Sequence, residues 1–127
     1  MKGTRIVFYS GEFHPSKMLE MIKEEEITVF SGTPTLLGMM ARLKHNTEIH
    51  TLKHICVSGE CMEKEKGLAI AEAFPGSSIY HVYGLTEAGP RVSFLPPDMF
   101  KEYPECVGIP LRSVSVKIIK ENGEPAL

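Results

Sequence analysis

The chain has 127 residues, 43% hydrophobic and 24% charged, which is typical of one globular domain with a buried core. Its formal net charge of -2, with both signs mixed along the sequence, argues against a nucleic-acid or anionic-membrane binder. Three cysteines without CxxC spacing predict neither a disulfide framework nor a zinc ribbon. No apolar stretch is long enough for a signal peptide or a membrane span. We therefore expect a cytoplasmic protein with no nucleic-acid partner and no membrane span.

Strand-like and helix-like patterns alternate along the first part of the chain. Residues 5–9 are a β-branched and aromatic run that ends at a Ser-Gly turn, which predicts a first strand. A helix is predicted to begin at Pro15, and residues 27–30 predict a second strand. Pro34 stands where a first-turn proline begins a second helix. The same alternation continues as a strand, a helix and a strand at 52–57, 62–73 and 78–82.

Strands that alternate with helices of this length predict βαβ units, which form a parallel sheet with right-handed crossovers and flanking helices. The predicted fold class is therefore α/β. We expect residues 1–90 to be the parallel part of this domain and residues 91–127 to be a loop and a β-rich subdomain segment.

The pattern changes in the last third of the chain. Residues 95–98 predict a surface loop, whereas 107–110 and 113–120 predict antiparallel strands that start a small β subdomain. A turn is predicted at residues 121–123. Because the last strand has no visible partner, we expect the chain to be a truncated piece of a larger N-terminal domain.

Loops rich in glycine and polar residues follow three of the predicted parallel strands, at 31–34, 58–61 and 83–87. Ligands of open α/β sheets bind at such strand ends. The third loop, Tyr-Gly-Leu-Thr-Glu, joins an aromatic that can cover a base to a hydroxyl and a carboxylate suited to phosphate and Mg²⁺. Read in isolation, it is also ordinary turn chemistry, with Gly84 at an unusual backbone angle and Thr86 capping a helix.

The segment at 83–87 resembles the YG-x-TE motif of the adenylate-forming superfamily of acyl-CoA synthetases, luciferases and peptide-synthetase adenylation domains. Further segments resemble this family in the same order, at 27–36, 52–60, 106–111, 116–119 and 122–125. The resemblance covers nearly the whole chain. It implies that a carboxylic acid is activated by ATP as an acyl-adenylate and is then transferred to a thiol, that of CoA or of a carrier protein.

The resemblance also implies roles for individual residues. Thr86 would contact the α-phosphate and Glu87 would help to hold Mg²⁺, so these two are the catalytic candidates. Tyr83 would pack on the adenine. The other candidates for binding ATP or AMP lie at or beside strand ends: Gly59, Glu60, Cys61, His81, Val82 and Gly84. Three residues fall where the family lines its acyl pocket: Cys56, Ser58 and Val82. A strand-borne cysteine such as Cys56 is also a common core residue.

The resemblance implies further catalytic groups outside this sequence. The family's phosphate loop and its lysine are expected before residue 1, and a ribose-binding aspartate and a catalytic lysine after residue 127. Residues 31–34 do not replace the phosphate loop, because no Gly or Lys follows at the required places. We therefore predict that the 127-residue chain does not adenylate a substrate by itself.

The sequence leaves alternatives for the branch of the family to which the chain belongs and for its class of function. Leu85 and His81 favour an acyl-CoA ligase, because peptide-synthetase modules more often carry Pro and Asn there. An amino-acid adenylation domain and a non-catalytic nucleotide-binding module remain alternatives. A metal site built from Cys56, Cys61, His81 and Cys106 lacks zinc-knuckle spacing. Glu60 and Glu87 both follow neighbouring strand ends, but nothing else supports them as a hydrolase pair. A surface or capping role is favoured for Glu60. Exposed strand edges predict self-association.

Overall fold

A computed structural model describes residues 3–43 and 49–126 of the chain. The helices of this part are α1 (Pro15–Glu24), α2 (Pro34–Leu43), α3 (Lys64–Ala73) and α4 (Pro97–Phe100). Its strands are β1 (Val29–Gly32), β2 (His54–Val57), β3 (Ser78–Leu85), β4 (Gly89–Leu95) and β5 (Ile109–Pro110). Within the described residues, no helix has both the length and the apolar character needed to cross a bilayer.

The five strands form one sheet in the order β1-β2-β3-β4-β5. The first three are parallel, and α2 and α3 provide the connections between them. β4 and β5 are added antiparallel to β3 and to each other. The predicted α/β class, with a parallel sheet followed by antiparallel strands, is confirmed.

The first two helices begin at the prolines that predicted them. Pro15 stands in the first turn of α1, where Nδ1 of His14 accepts a hydrogen bond from the Ser16 amide at 3.3 Å. Pro34 is the first residue of α2. Both helices are amphipathic and bury residues at helical spacing, namely Met18, Leu19 and Ile22 in α1 and Leu37, Met40 and Ala41 in α2.

The core lies on one face of the sheet. Phe30, Ile55 and Ile79 are neighbours across β1, β2 and β3, and Ile55 is fully buried. Side chains alternate between the faces of a strand, so Val57 joins the same face whereas His54 and Cys56 point away from it. Buried residues of α1, α2 and α3, together with Phe100 of α4, complete one hydrophobic cluster with this row.

The predicted strand at residues 5–9 is wrong. The segment forms no ladder with any strand of the described chain, and the side chains of Ile6 and Phe8 are 71% and 86% exposed. An ion pair joins Nη1 of Arg5 to Oε2 of Glu25 at 2.8 Å. Strand-forming residues need a neighbouring strand to pack against, and β1 forms the outer edge of the sheet in the described part of the chain. Self-association through that edge stays a prediction.

The antiparallel region also differs from its prediction. β4 was not predicted. Residues 97–100 form the short helix α4, which overlaps the predicted surface loop at 95–98. β5 covers only two residues of the predicted strand at 107–110. The predicted strand at 113–120 is wrong, since that segment forms a single bridge between Ile119 and Pro125. A ladder requires a partner in register, and the described residues offer this segment no such partner.

The predicted turn at residues 121–123 is confirmed. The amide of Gly123 donates to the carbonyl of Lys120 at 2.9 Å, and Gly123 has a φ of +84°, which favours glycine. The proposed boundary at residue 90 falls within β4, a member of the same sheet. The division into 1–90 and 91–127, whose outer ends lie beyond the described residues, stays a prediction.

We predict that Ile55→Ala lowers the free energy of unfolding by about 2–5 kcal/mol, because it leaves a cavity in the middle of the core. Urea denaturation of the purified chain measures this change. Ile118→Ala is the matched control, since that side chain is 73% exposed and its loss should cost less than about 0.5 kcal/mol. Equal losses in the two variants would contradict the position of the core.

Candidate active site

The carboxyl ends of three parallel strands meet at one edge of the sheet, as the sequence predicted. β1 ends at Gly32, β2 at Val57 and β3 at Leu85. The first two loops are joined directly, because the Ser58 amide donates to the Gly32 carbonyl at 3.1 Å. This edge is the place where an open parallel sheet binds its ligands.

Side chains from these two loops satisfy the N-terminus of α2. Oγ1 of Thr33 accepts a hydrogen bond from the Leu36 amide at 3.3 Å. Oε2 of Glu60 accepts from the amide and the hydroxyl of Thr35 at 3.1 and 2.6 Å. Pro34 has no N–H to offer. The first amides of α2 are therefore engaged within the chain, and the capping role favoured for Glu60 is confirmed.

The Thr35 hydroxyl lowers the pKa of Glu60, and bonds from the Thr35 amide and the Thr33 side chain act in the same direction. Desolvation opposes this shift, and the charge of Lys66 adds a smaller lowering effect. A carboxyl with a lowered pKa in the folded state stabilises the fold above its unfolded pKa. That stabilisation is lost as the pH falls through the folded value.

We predict that Glu60→Gln lowers the melting temperature at pH 7, because an amide oxygen replaces a charged acceptor at the start of α2. The difference from the unsubstituted chain should shrink as the pH falls through the lowered pKa of Glu60, where the carboxylate takes up its proton. Thermal unfolding followed by circular dichroism between pH 3 and 7 measures both effects. Glu72→Gln, at an exposed glutamate of α3, is the control, and a pH-independent difference for Glu60→Gln would contradict the capping role of Glu60.

The motif at residues 83–87 forms a β-hairpin. Tyr83, Gly84 and Leu85 end β3, and the turn closes where the Ala88 amide donates to the Leu85 carbonyl at 3.2 Å. Leu85 then pairs with Gly89 at the start of β4, with an irregular register between Tyr83 and Leu85. The next two residues, Thr86 and Glu87, lie exposed in the turn. Both polar groups are therefore presented to solvent at the carboxyl edge of the sheet.

The reading of this motif as ordinary turn chemistry is wrong in both parts. Thr86 lies in a hairpin turn and begins no helix. Gly84 does not have a positive φ, whereas Gly89 in the same hairpin has a φ of +102°. A Cβ atom at Gly84 would instead overlap the carbonyl group of Pro90 on β4. Glycine is thus required at position 84 by the close approach of two strands.

We predict that Gly84→Ala destabilises the chain by about 1–3 kcal/mol, because the added methyl group forces β3 and β4 apart. Gly76→Ala is the control, since a Cβ there meets no atom within 4 Å. Chemical denaturation compares the two variants. A Gly84→Ala variant as stable as Gly76→Ala would show that the hairpin does not depend on this contact.

The other predicted site residues divide between the two faces of β3. Tyr83 follows His81 on the face that carries the core, and the Tyr83 side chain is 42% exposed. His81 is buried, and its Nδ1–H donates to the Cys106 carbonyl at 2.9 Å. Cys56 and Val82 lie half-buried on the opposite face.

The remaining predicted residues lie just beyond β2. Gly59 has a φ of +93°, which favours glycine in this turn. Ser58 is half-buried, and Gly59, Glu60 and Cys61 are exposed at the carboxyl edge of the sheet. The sequence indicated this loop correctly, but it gave no signal for the capping contribution of Thr35 on α2.

The comparisons with known proteins agree with the motif. The model of the AMP-binding enzyme family matches residues 1–126. The chain belongs to this family. The resemblance drawn from the motif at 83–87 is therefore confirmed.

Among the relatives of this chain, a 2-succinylbenzoate–CoA ligase of Staphylococcus aureus is 33% identical over 115 residues, 89% of this chain and 22% of that ligase. An amide bond synthetase from Marinactinospora thermotolerans superposes with a TM-score of 0.77 at 26% identity, over 91% of this chain and 24% of that one. The o-succinylbenzoate coenzyme A synthetase from Bacillus subtilis, solved in complex with AMP, shares the fold with a TM-score of 0.71 at 23% identity, over 91% and 23%. This chain spans about a fifth to a quarter of the length of the CoA ligases it matches.

No metal cluster forms from the protein side chains that were considered for one. Within residues 3–43 and 49–126, no three His, Cys, Asp or Glu residues lie close enough together to hold an ion. Cys56, Cys61 and Cys106 are free thiols, and His81 is held by a backbone carbonyl. An alternative site on Cys56, Cys61, His81 and Cys106 is therefore not formed in this AMP-binding chain.

A surface groove of about 760 Å³ runs between α2 and α3, and Thr35 at the start of α2 is part of its lining. Its lining includes Arg42, Lys66 and Glu72, but none of the predicted site residues. The candidate site is therefore the open carboxyl edge of the sheet, where the exposed hairpin and the second loop stand side by side.

Proposed function

We propose that this chain is part of an ATP-dependent ligase that activates a carboxylic acid as an acyl-adenylate and transfers it to a thiol, that of CoA. The family match over residues 1–126 is the observation that carries the proposal. The exposed hairpin supports it, because it presents a hydroxyl, a carboxylate and an aromatic ring at the edge where a nucleotide would bind. The activity belongs to the whole protein, of which the chain would supply one wall of the site.

Thr86 and Glu87 are the proposed catalytic residues. The Thr86 hydroxyl would donate a hydrogen bond to an α-phosphate oxygen as the acid carboxylate attacks phosphorus and pyrophosphate leaves. Charge on that oxygen changes in the displacement, so a donor held in place by a closed hairpin stabilises the transition state. Neither residue acts as the nucleophile, because the attacking group is the substrate's own carboxylate.

The residues fit the way in which Mg²⁺ is usually bound to nucleotides. Mg²⁺ takes one or two protein carboxylates and completes its shell with phosphate oxygens and water. Glu87 is an exposed carboxylate at the hairpin tip and makes no cluster with other acidic residues of the described chain. When bound, Mg²⁺ would neutralise phosphate charge. Glu87 would hold the Mg²⁺ ion in a fixed position relative to the Thr86 hydroxyl.

Tyr83 is the proposed contact of the adenine ring. Its side chain is 42% exposed where Tyr83 pairs with Ser93, so part of the ring is accessible for stacking. The backbone of the second loop, with Gly59, Glu60 and Cys61, and that of His81, Val82 and Gly84 would form the rest of the nucleotide site. The Glu60 carboxylate itself is engaged by α2.

The acid is proposed to lie against the opposite face of β3. Cys56 pairs in register with Tyr80, and Val82 follows Tyr80 on the same face. Together with Ser58 at the end of β2, these side chains would give a mostly apolar wall. CoA is proposed as the acceptor because Leu85 and His81 are more typical of acyl-CoA ligases than of peptide-synthetase modules.

We predict that the longer natural protein exchanges pyrophosphate into ATP in the presence of a carboxylic acid, and that Thr86→Ala and Glu87→Gln each lower kcat/KM by about 100-fold. Radiolabelled pyrophosphate exchange measures this. Glu121→Gln is the matched control, because Glu121 is also an exposed glutamate in a turn. Equal activity of all variants would exclude the hairpin from catalysis.

The same assay distinguishes the alternatives. A screen of acids and thiols should show adenylation of non-amino acids and transfer to CoA, whereas exclusive activation of amino acids would indicate a peptide-synthetase domain. Nucleotide binding without exchange would indicate a non-catalytic module. The 127-residue chain should show no exchange with any acid, and exchange by this chain would contradict the need for groups outside it.

A further inference from the structure

Two buried polar side chains hold consecutive carbonyl groups of one segment. His81 on β3 and Ser93 on β4 are each 3% exposed. Nδ1–H of His81 donates to the Cys106 carbonyl at 2.9 Å, and Oγ–H of Ser93 donates to the Val107 carbonyl at 2.7 Å. Both donors are buried, and a buried N–H or O–H without an acceptor is costly, so the two bonds hold the segment where it crosses the sheet.

Residues 104–108, called the strap from here on, are also anchored by packing at both ends. Pro104 is fully buried against α3, where a Cβ added at Gly67 would lie 2.5 Å from Cβ of Pro104. Gly108 has a φ of +72°, and a Cβ there would overlap the carbonyl of Phe94 on β4. The strap therefore runs from α3 across β3 to β4 in close backbone contact.

The strap lies beside the exposed ring of the motif. Ser93 is the direct cross-strand partner of Tyr83, so their Cβ atoms are about 5 Å apart on one face. His81 precedes Tyr83 on the same face. Because Ser93 and His81 hold Val107 and Cys106, the strap borders Tyr83 on its core side, and the side chains of Val107 and Tyr83 are each 42% exposed.

We propose that His81 and Ser93 are positioning residues, which fix the strap as a wall of the nucleotide site next to Tyr83. The inference rests on the proposed function, in which Tyr83 packs on adenine. The effect of His81 on the nucleotide passes through the strap, because its Nδ1–H is bonded to the Cys106 carbonyl. A wall that is ordered before binding spares the ordering cost that a loose segment would add to each binding event.

Hydrogen–deuterium exchange of the 127-residue chain tests whether the two side chains order the strap. The amide of Cys106, bonded to the Tyr103 carbonyl, and that of Leu111, bonded to the Val92 carbonyl, report its opening. His81→Ala and Ser93→Ala should each speed exchange across 104–111 by roughly tenfold, the effect of one lost hydrogen bond. His81→Asn keeps an N–H donor near the place of Nδ1 and should restore protection.

His54→Ala is the matched control for the exchange experiment. His54 stands on the neighbouring strand β2, is exposed, and has its ring centroid 6.1 Å from that of Tyr80 on the opposite face. Its removal should leave exchange of the strap unchanged. Unchanged exchange in His81→Ala and Ser93→Ala would overturn the proposal at its first step.

Pyrophosphate exchange by the longer protein tests the link to the nucleotide. Loss of an ordered wall should raise KM for ATP by roughly tenfold with little change in kcat, because the wall contributes equally to ground-state and transition-state binding. General destabilisation would instead lower the active fraction, and so kcat, at constant KM. His81→Asn should return KM towards the unsubstituted value.

The outcomes separate this inference from the proposed function. An unsubstituted protein without ATP-dependent exchange overturns the proposed function and the strap's role with it. An active protein in which His81→Ala and Ser93→Ala loosen the strap but leave KM for ATP unchanged overturns the strap proposal alone. A raised KM in both variants, with rescue by His81→Asn, supports it.

Discussion

The packing of β2 between β1 and β3 aligns the strand ends on which the candidate site depends. Ile55 and Val57 are fully buried, and their neighbours Phe30 and Ile79 extend the same row across the sheet. Parallel pairing in this register brings the three loops to one edge. Each loop is then held by a contact of its own. Thr33 in the first loop and Glu60 in the second bond the start of α2, and the close approach of Gly84 to Pro90 holds the hairpin.

Where local chemistry decides an element, the sequence predicted it well. Pro15 and Pro34 mark helix starts because proline suits the first turn and lacks an N–H that would otherwise need a partner. The buried strands β2 and β3 follow their β-branched residues. By contrast, residues 5–9 have the composition of a strand but no ladder, since pairing depends on a neighbour that local sequence does not supply.

Contacts between distant residues also limited what the sequence could predict about the candidate site. The resemblance pointed to the motif at 83–87, yet the hairpin depends on β4, whose start at Gly89 and Pro90 has turn-like composition. The role of Gly84 comes from a backbone six residues further along the chain, and no propensity encodes that contact. His81 meets its acceptor 25 residues away, so its structural role emerges only once the strands are assembled.

The alternation of β3 has a consequence for how such an enzyme changes over evolutionary time. Val82 and Tyr83 are adjacent in sequence but point to opposite sides of the sheet. On the proposed function, the strand separates a surface that selects the acid from one that holds the common nucleotide. Replacing Val82 with a larger or smaller residue would then alter which acids are accepted while the adenine contact is retained. A one-residue slip of the strand would exchange the two surfaces, and the paired edges of β2 and β4 oppose that slip.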